Sequence, residues 1–229
     1  MRLDFYLSHV TELARKAAKI AASKGRVTVN GDVIKKANYT VKEGDVICLD
    51  DMPLAWPSEG YYLMHKPAGY VCANQDSDHP VVLDLLPSHL GQSLNIVGRL
   101  DKDTTGLLLL TTDGQWLHRI TSPRNACGKR YRMTLVSPIS DDNLKQLEEG
   151  VLLNGESSLT LPAVAERICE NEIYLTIQEG KYHQVKRMLA AVGNKVELLH
   201  RDQIGLLTLD ADLQAGEFRQ LTETEVAYF

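Results

Sequence analysis

The residues best suited to chemistry lie where the polar stretch Gly98-Arg99-Leu100-Asp101-Lys102-Asp103-Thr104-Thr105 runs into the apolar Gly106-Leu107-Leu108-Leu109-Leu110. A carboxylate, Asp101, stands beside a cation, Arg99, in a loop backed by a segment that can fix it in space. A carboxylate held this way can serve as a nucleophile; the same residue also reads as an ordinary turn acid. To attack, it must be charged, and a nearby cation favours the charged form where burial opposes it. Other chemistries lack their residues. The chain has no Gly-x-x-x-x-Gly-Lys-Ser/Thr phosphate loop and no Gly-x-Ser-x-Gly elbow. Its seven histidines, His9, His65, His79, His89, His118, His183 and His200, show no two-histidine spacing joined to a carboxylate or cysteine cluster, so no metal is expected. Cys48, Cys72, Cys127 and Cys169 are scattered and form no C-x-x-C pair, which reads as the reduced thiols of a cytoplasmic protein.

The loop needs elements to hold it. Leu107–Thr111 reads as the strand behind it, with Tyr61–Met64, Tyr131–Val136 and Ile173–Ile177 as further strands. Tyr131, Met133 and Leu135 alternate with Arg130, Arg132 and Thr134, as in a half-buried antiparallel strand. Asp141–Glu149 predicts a helix ending at Gly150, and Val185, Met188, Leu189 and Val192 form an apolar stripe stopped by Gly193. Strands from distant parts of the chain must share a sheet, which favours an α+β domain. Nearer the N-terminus, Leu3, Leu7, Val10, Leu13, Ala17 and Ile20 recur at helical steps, giving two short helices or one interrupted helix with Gly25 as its stop. Arg26–Val29 alternates as a strand, Asn30-Gly31 signals a hairpin, and Val46–Leu49 reads as another strand. Asp50–Gly60, with Pro53, Pro57 and Gly60, reads as a linker. The expected organisation is a unit over 1–50, a linker over 51–60 and a larger domain over 61–229.

The 229 residues, 44% hydrophobic, suffice for one core plus a small appended domain. No apolar run is long enough to cross a bilayer, and Asp4, Glu12, Lys16 and Lys19 make the N-terminus unlike a signal peptide, so no membrane is expected. A net charge of −5 conceals an uneven distribution. Residues 1–47 hold nine Lys/Arg against five Asp/Glu, residues 181–201 five against one, and residues 137–180 two against nine. Such a pattern fits a protein that turns one face to nucleic acid, and also chance clustering of solvated charge. Arg2, Arg15 and Lys16 on the helical faces and Arg26 at the strand entry are the candidate phosphate contacts.

Four blocks carry a resemblance that spans nearly the whole larger domain. They are Lys66-Pro67-Ala68-Gly69-Tyr70; Gly98-Arg99-Leu100-Asp101 with Thr104-Thr105-Gly106-Leu107; Lys129-Arg130-Tyr131; and Glu179-Gly180-Lys181-Tyr182-His183-Gln184-Val185-Lys186-Arg187-Met188. In order and spacing they resemble the pseudouridine synthases, in the branch that modifies ribosomal RNA. Ahead of them, Arg2-Leu3-Asp4, Arg15, Gly25-Arg26-Val27-Thr28-Val29-Asn30-Gly31 and Gly44-Asp45 resemble the α-L RNA-binding domain. The resemblance implies an α+β fold: a small N-terminal α-L domain, then a catalytic domain on a mixed, mostly antiparallel sheet with flanking helices. It implies isomerisation of a uridine to pseudouridine, a reaction without a redox step and hence without a cofactor. The string from Gln115-Trp116 through His118-Arg119-Ile120-Thr121-Ser122-Pro123-Arg124 is similar to the branch acting on small-subunit (16S) ribosomal RNA. The competing expectations are the same reaction on large-subunit RNA and a non-catalytic RNA-binding assembly factor. The implied partner is ribosomal RNA or a small-subunit assembly particle, and the implied state is a monomer.

The resemblance also distributes roles. Asp101 is the nucleophile and Lys186 the cation that keeps it charged, with Arg187 the neighbouring candidate; lysine lacks the guanidinium fork, so one charged contact is expected. Tyr131 stacks on the extruded base and accepts or relays the proton lost from its carbon, or is a buried structural tyrosine. Ile177 packs the other face of the base, or belongs to the core. Arg99 fills the space the base leaves or binds an adjacent phosphate, unless it pairs with Asp103. Lys66 and Pro67 shape the loop beneath the site. Arg2, Arg15, Lys16 and Arg26 contact RNA through charge and shape.

Overall fold

Chain contacts divide the protein into two units, Met1–Glu59 with Ser88–Ser93, and Gly60–Pro87 with Leu94–Phe229. The computed structural model describes every residue except Glu12, Pro57, Ser58 and Gln92, and the side chains of all others except Ser88, His89 and Arg124. Glu12, Pro57 of the expected linker and the side chains of His89 and Arg124 thus lie outside what the structure describes.

In the first unit, helices α1 (Leu3–Val10), α2 (Arg15–Ser23) and α3 (Ser88–Gly91) accompany strands β1 (Val27–Val29), β2 (Asp32–Val33), β3 (Ile47–Leu49) and β4 (Met52–Leu54). The strands pair in the order β2-β1-β3-β4. Leu3, Tyr6 and Leu7 of α1 pack on Ala18, Ala21 and Ala22 of α2 and on Val27, Val29 and Ile47 of the sheet. The small alanine face lets the helices approach closely, and it shifts the buried stripe of α2. Ile20, which the helical spacing assigns to the core, is 46% exposed. Asn30 and Gly31 take positive φ (53° and 90°), as a two-residue hairpin turn requires. Part of the expected linker is a strand. Asp50 and Asp51 also take positive φ (51° and 64°), which folds β4 back onto β3. Pro53 is tolerated because β4 is an edge strand.

The second unit is built on one sheet. Its strands are β5 (Tyr61–Lys66), β6 (Asn95–Val97), β7 (Thr105–Thr111), β8 (Lys129–Leu135), β9 (Val164–Cys169), β10 (Glu172–Ile177), β11 (Val196–Ile204), β12 (Leu207–Thr208) and β13 (Phe218–Gln220). Their order is β13-β5-β7-β11-β8-β10-β9, with β6 added to β7 and β12 to β11. Among the described residues, every pairing is antiparallel except β7 with β11, so the sheet is mixed and mostly antiparallel. Leu107–Leu110 is buried throughout because β7 lies inside the sheet with both faces covered.

Helices α4 (Gly114–Thr121), α5 (Asp141–Glu149), α6 (Gln184–Ala191) and α7 (Glu223–Val226) flank the sheet. Helix α4 starts where Asp113 accepts from the Gln115 N–H at 2.7 Å, and it buries Trp116 and Ile120 against Leu63, Leu107 and Leu109. Ser140 caps α5, and Gly150 at φ 98° ends it where the sequence predicts. Strands β9 and β11 are absent from the sequence reading. Register shifts at Val196/Leu198 and Arg201/Gln203 break the alternation of β11, so its pattern matches no single period. Among the described residues no helix is long and apolar enough to cross a membrane.

Candidate active site

The loop carrying Asp101 is anchored from below. Lys66, at the end of β5, is buried, and its ammonium donates to the carbonyls of Thr104 (2.8 Å), Pro67 (3.0 Å) and Lys102 (3.4 Å). Burial pushes its pKa down, since these carbonyls replace water without bringing a full countercharge. The Leu100 N–H reaches Cys72 Sγ at 3.3 Å, and Thr104 N–H closes a turn onto the Asp101 carbonyl at 3.1 Å. The Lys-Pro block thus shapes the loop, as its position in the sequence predicts.

Helix α6 brings the cation. Val185, Met188 and Leu189 pack it down, which leaves Lys186 facing the loop. Its Nζ lies 3.1 Å from Asp101 Oδ2 and 2.6 Å from Asp103 Oδ1. Lys186 makes one contact with Asp101, without a fork, and the expectation lacked a second acid: Asp103, two residues on, reaches the same ammonium. Burial pulls the Lys186 pKa down, and the hydrogen bonds and charges of Asp103 and Asp101 outweigh it, so the net shift is upward. The hydrogen bond from Lys186 also holds the Asp103 carboxyl below its usual range. His183, which caps α6 in the left-handed region, puts Nε2 3.4 Å from Asp101 Oδ1.

A cleft of about 600 Å³ opens over this cluster, and Asp101, Lys186, Tyr131, Ile177 and Arg99 all line it. Tyr131 is 7% exposed and Ile177 3%, so each is both wall and core. Beside Tyr131 stands Arg201, which sequence reasoning missed. It lies on β11 opposite Tyr131 on one side and Gly106 on the other. Its guanidinium donates to the Leu107 carbonyl (2.9 Å) and, more distantly, to the Tyr131 hydroxyl (3.4 Å) and the Arg99 carbonyl (3.5 Å). It is 1% exposed, and its Nη2 has no partner among the described residues. One signal was available. Gly106 heads the apolar run of a strand, where a glycine marks close approach of another backbone; it does not say which one.

Other predicted residues go elsewhere. Arg187 does not line the cleft. One position along a helix turns a side chain by roughly 100°, and its guanidinium is taken up by the Asn154 carbonyl (2.6 Å), the Tyr182 carbonyl (3.1 Å) and Glu156 (3.5 Å). Arg99 is exposed at the cleft and leaves Asp103 to Lys186. In the first unit, Arg2 and Arg15 converge with Lys19 on the buried Asp4 carboxylate, at 3.0, 3.6 and 4.0 Å. The Arg2 hydrogen bond keeps the Asp4 carboxyl below its usual range despite burial. Arg26 pairs with Asp50, and Lys16 is exposed. All four cations remain at the surface of that unit, two of them organised by an internal acid.

The pattern of the RNA pseudouridylate synthase family matches residues 60–191, and that of the S4 domain matches residues 1–47. The chain is 49% identical over 228 residues to ribosomal small subunit pseudouridine synthase A of Escherichia coli (strain K12), covering 99% of each. It is 47% identical over 230 residues to the protein of that name from Pasteurella multocida (strain Pm70), covering 100% of this chain and 99% of the relative. A crystal structure of a pseudouridylate synthase superposes with a TM-score of 0.73 at 42% identity, covering 100% of this chain and 99% of the other. The cleft lies within the unit that contains the synthase match, the S4 match precedes it in the sequence, and the chain belongs to the RNA pseudouridylate synthase family.

Proposed function

We propose that the protein converts a specific uridine of small-subunit (16S) ribosomal RNA to pseudouridine, with Asp101 as nucleophile. The observation that carries this reading is the Asp101–Lys186 contact at 3.1 Å on the floor of a cleft walled by Tyr131 and Ile177. The names borne by the relatives that match nearly the whole of this chain support the choice of substrate.

The reaction breaks the bond from ribose C1′ to N1 of uracil and forms one from C1′ to C5. The C5 proton leaves and N1 gains a proton, so atoms balance without oxidant, metal or cofactor. A base inside a helix cannot be reached, so the target is extruded into the cleft. There the Tyr131 ring and the Ile177 side chain take its faces, while Asp101 supplies the electron pair. The Tyr131 hydroxyl relays the C5 proton, passing its own on to solvent or to N1 as it takes the new one. Arg201 fixes that hydroxyl, and Lys186 and His183 fix the carboxylate, so the groups are aligned before substrate arrives. Arg99 binds a phosphate beside the extruded nucleotide. Arg2, Arg15, Lys16 and Arg26 hold the RNA through its backbone.

Tritium release from RNA labelled at uridine C5 tests the chemistry. The native protein should release label and Asp101→Asn should release none; full activity in Asp101→Asn would sink the nucleophile. The substrate is tested by comparing free 16S RNA, small-subunit particles and 23S RNA. Preference for 23S RNA would move the reaction to the large subunit. Tight RNA binding with no release from any substrate would make the protein a non-catalytic assembly factor.

A further inference from the structure

Tyr182 is 75% exposed, more than any other large hydrophobic side chain among the described residues, yet it lines the cleft rather than a remote surface. Its ring stacks on His183, with centroids 3.9 Å apart and planes at 18°. The imidazole of His183 in turn approaches Asp101 at 3.4 Å. The two rings therefore form a short column that begins at the carboxylate and ends in solvent. One face of Tyr182 is covered and the other is open.

The segment beneath this column is braced. The Tyr182 carbonyl accepts from Arg187 at 3.1 Å, and Arg187 is itself tied to the Asn154 carbonyl and Glu156. Gln184, buried, accepts from the Lys181 N–H and donates to Glu179, both at 2.8 Å. Lys181 adds an ion pair to Glu156 at 3.4 Å. His183 holds a left-handed backbone (φ 47°) that a non-glycine residue rarely adopts, and it persists because these bonds over-determine it. Left to hydrophobic burial alone, a large ring on so well-fixed a segment would be tucked in; here it is presented to solvent.

We propose that the Tyr182–His183 stack is a nucleobase subsite: it receives the base of an RNA nucleotide adjoining the one in the cleft. The proposal rests on the pseudouridylation reading above. Extruding one nucleotide deprives its neighbours of a stacking partner, and an exposed aromatic face next to the cleft replaces it in a sequence-tolerant way. The exposed cations Arg99 and Lys102 line the same cleft and suit the phosphates on either side, which favours RNA over a protein partner.

The test uses the full chain with Tyr182→Ala and Tyr182→Phe. Tritium release from 16S RNA gives kcat and KM. Short single-stranded oligoribonucleotides with 2-aminopurine on either side of a central uridine report stacking by fluorescence quenching. Tyr182→Ala should raise KM roughly 5- to 100-fold, affect kcat less, and abolish quenching of the 2-aminopurine on one side. Tyr182→Phe, which keeps the face and loses the hydroxyl, should retain most of both. Urea midpoints should not move, because the ring is exposed. Unchanged KM and quenching in Tyr182→Ala would overturn the subsite, as would Tyr182→Phe failing as badly as Tyr182→Ala. A native protein that releases no label would instead defeat the reading on which the subsite rests.

Discussion

Gly106→Ala should disable the protein through a single methyl group. A Cβ at this position would lie 2.1 Å from the Arg201 carbonyl oxygen, 2.7 Å from its nitrogen and 2.8 Å from its carbonyl carbon. All three are backbone atoms, so no side chain can swing aside. An ordinary carbon–oxygen contact is roughly 3.3 Å, so β7 and β11 must part by about 1 Å at their one parallel seam. That seam registers only His200 with Thr105 and Arg201 with Gly106. Overpacking costs about 1–3 kcal/mol, and the positive φ of 111° adds about 1–3 kcal/mol for any residue with a Cβ. Separation also stretches the 2.9 Å bond from Arg201 to the Leu107 carbonyl, and a buried charge-assisted bond is worth about 1.5–3 kcal/mol. The sum, about 3.5–9 kcal/mol, consumes much of the roughly 5–15 kcal/mol of a typical domain. Urea unfolding followed by tryptophan fluorescence measures it, since Trp116 is fully buried beside Tyr61 and Phe229. Tritium release below the midpoint then reads whether Arg201 still holds Tyr131. Gly114→Ala, with open space at its Cβ position and no positive φ, is the control and should change stability by less than about 1 kcal/mol. A Gly106→Ala protein within about 1 kcal/mol of native and fully active would refute the close approach.

Lys186→Met should lower kcat by roughly 10- to 100-fold, the worth of a charge-assisted bond lost beside a half-buried carboxylate, and Lys186→Arg should recover most of it; single-turnover kinetics read both, and a change under about twofold would remove the cation from the mechanism. Lys16→Ala should weaken RNA binding and shallow its log–log salt dependence by about one, whereas an unchanged slope would mean that Lys16 touches no phosphate. Glu225, gripped by Arg219 at 2.7 Å, has its pKa held down to about 2 from 4.5. A depressed carboxylate stabilises the fold above its unfolded pKa and loses that contribution as pH falls through the folded one. Glu225→Gln should therefore be less stable than native near neutrality, by at most ~3 kcal/mol, with the difference shrinking below pH 4.5 toward pH 2; urea titrations that ran parallel throughout would contradict the pair.

Much of the fold was legible because local patterns agree with it. Leu107–Leu110 is a continuous apolar run and lies inside the sheet; Tyr131, Met133 and Leu135 alternate and are buried on one face. Ser140 and Gly150 bound α5 as caps should. The misses have local causes. Strand β4 hides in a proline-containing segment because its turn, Asp50-Asp51, lacks the usual Asn-Gly signal. Ile20 falls outside the core because alanines, not larger residues, define the buried face of α2.

By itself the sequence offered Asp101 on its loop as a candidate carboxylate, and its resemblance to the pseudouridine synthases joined Tyr131 on its strand and Lys186 on its helix to it. Residue type and period place each on its element, because they set charge, ring and repeat along the chain; their grouping came with the resemblance. Only the tertiary structure decided that one ammonium bridges both Asp101 and Asp103, that Arg187 turns away to brace a loop, and that Arg201 stands behind Tyr131. Each of these joins residues far apart in the chain or separates neighbours by a helical turn. Such distances are fixed by strand register and packing, and no local pattern encodes them.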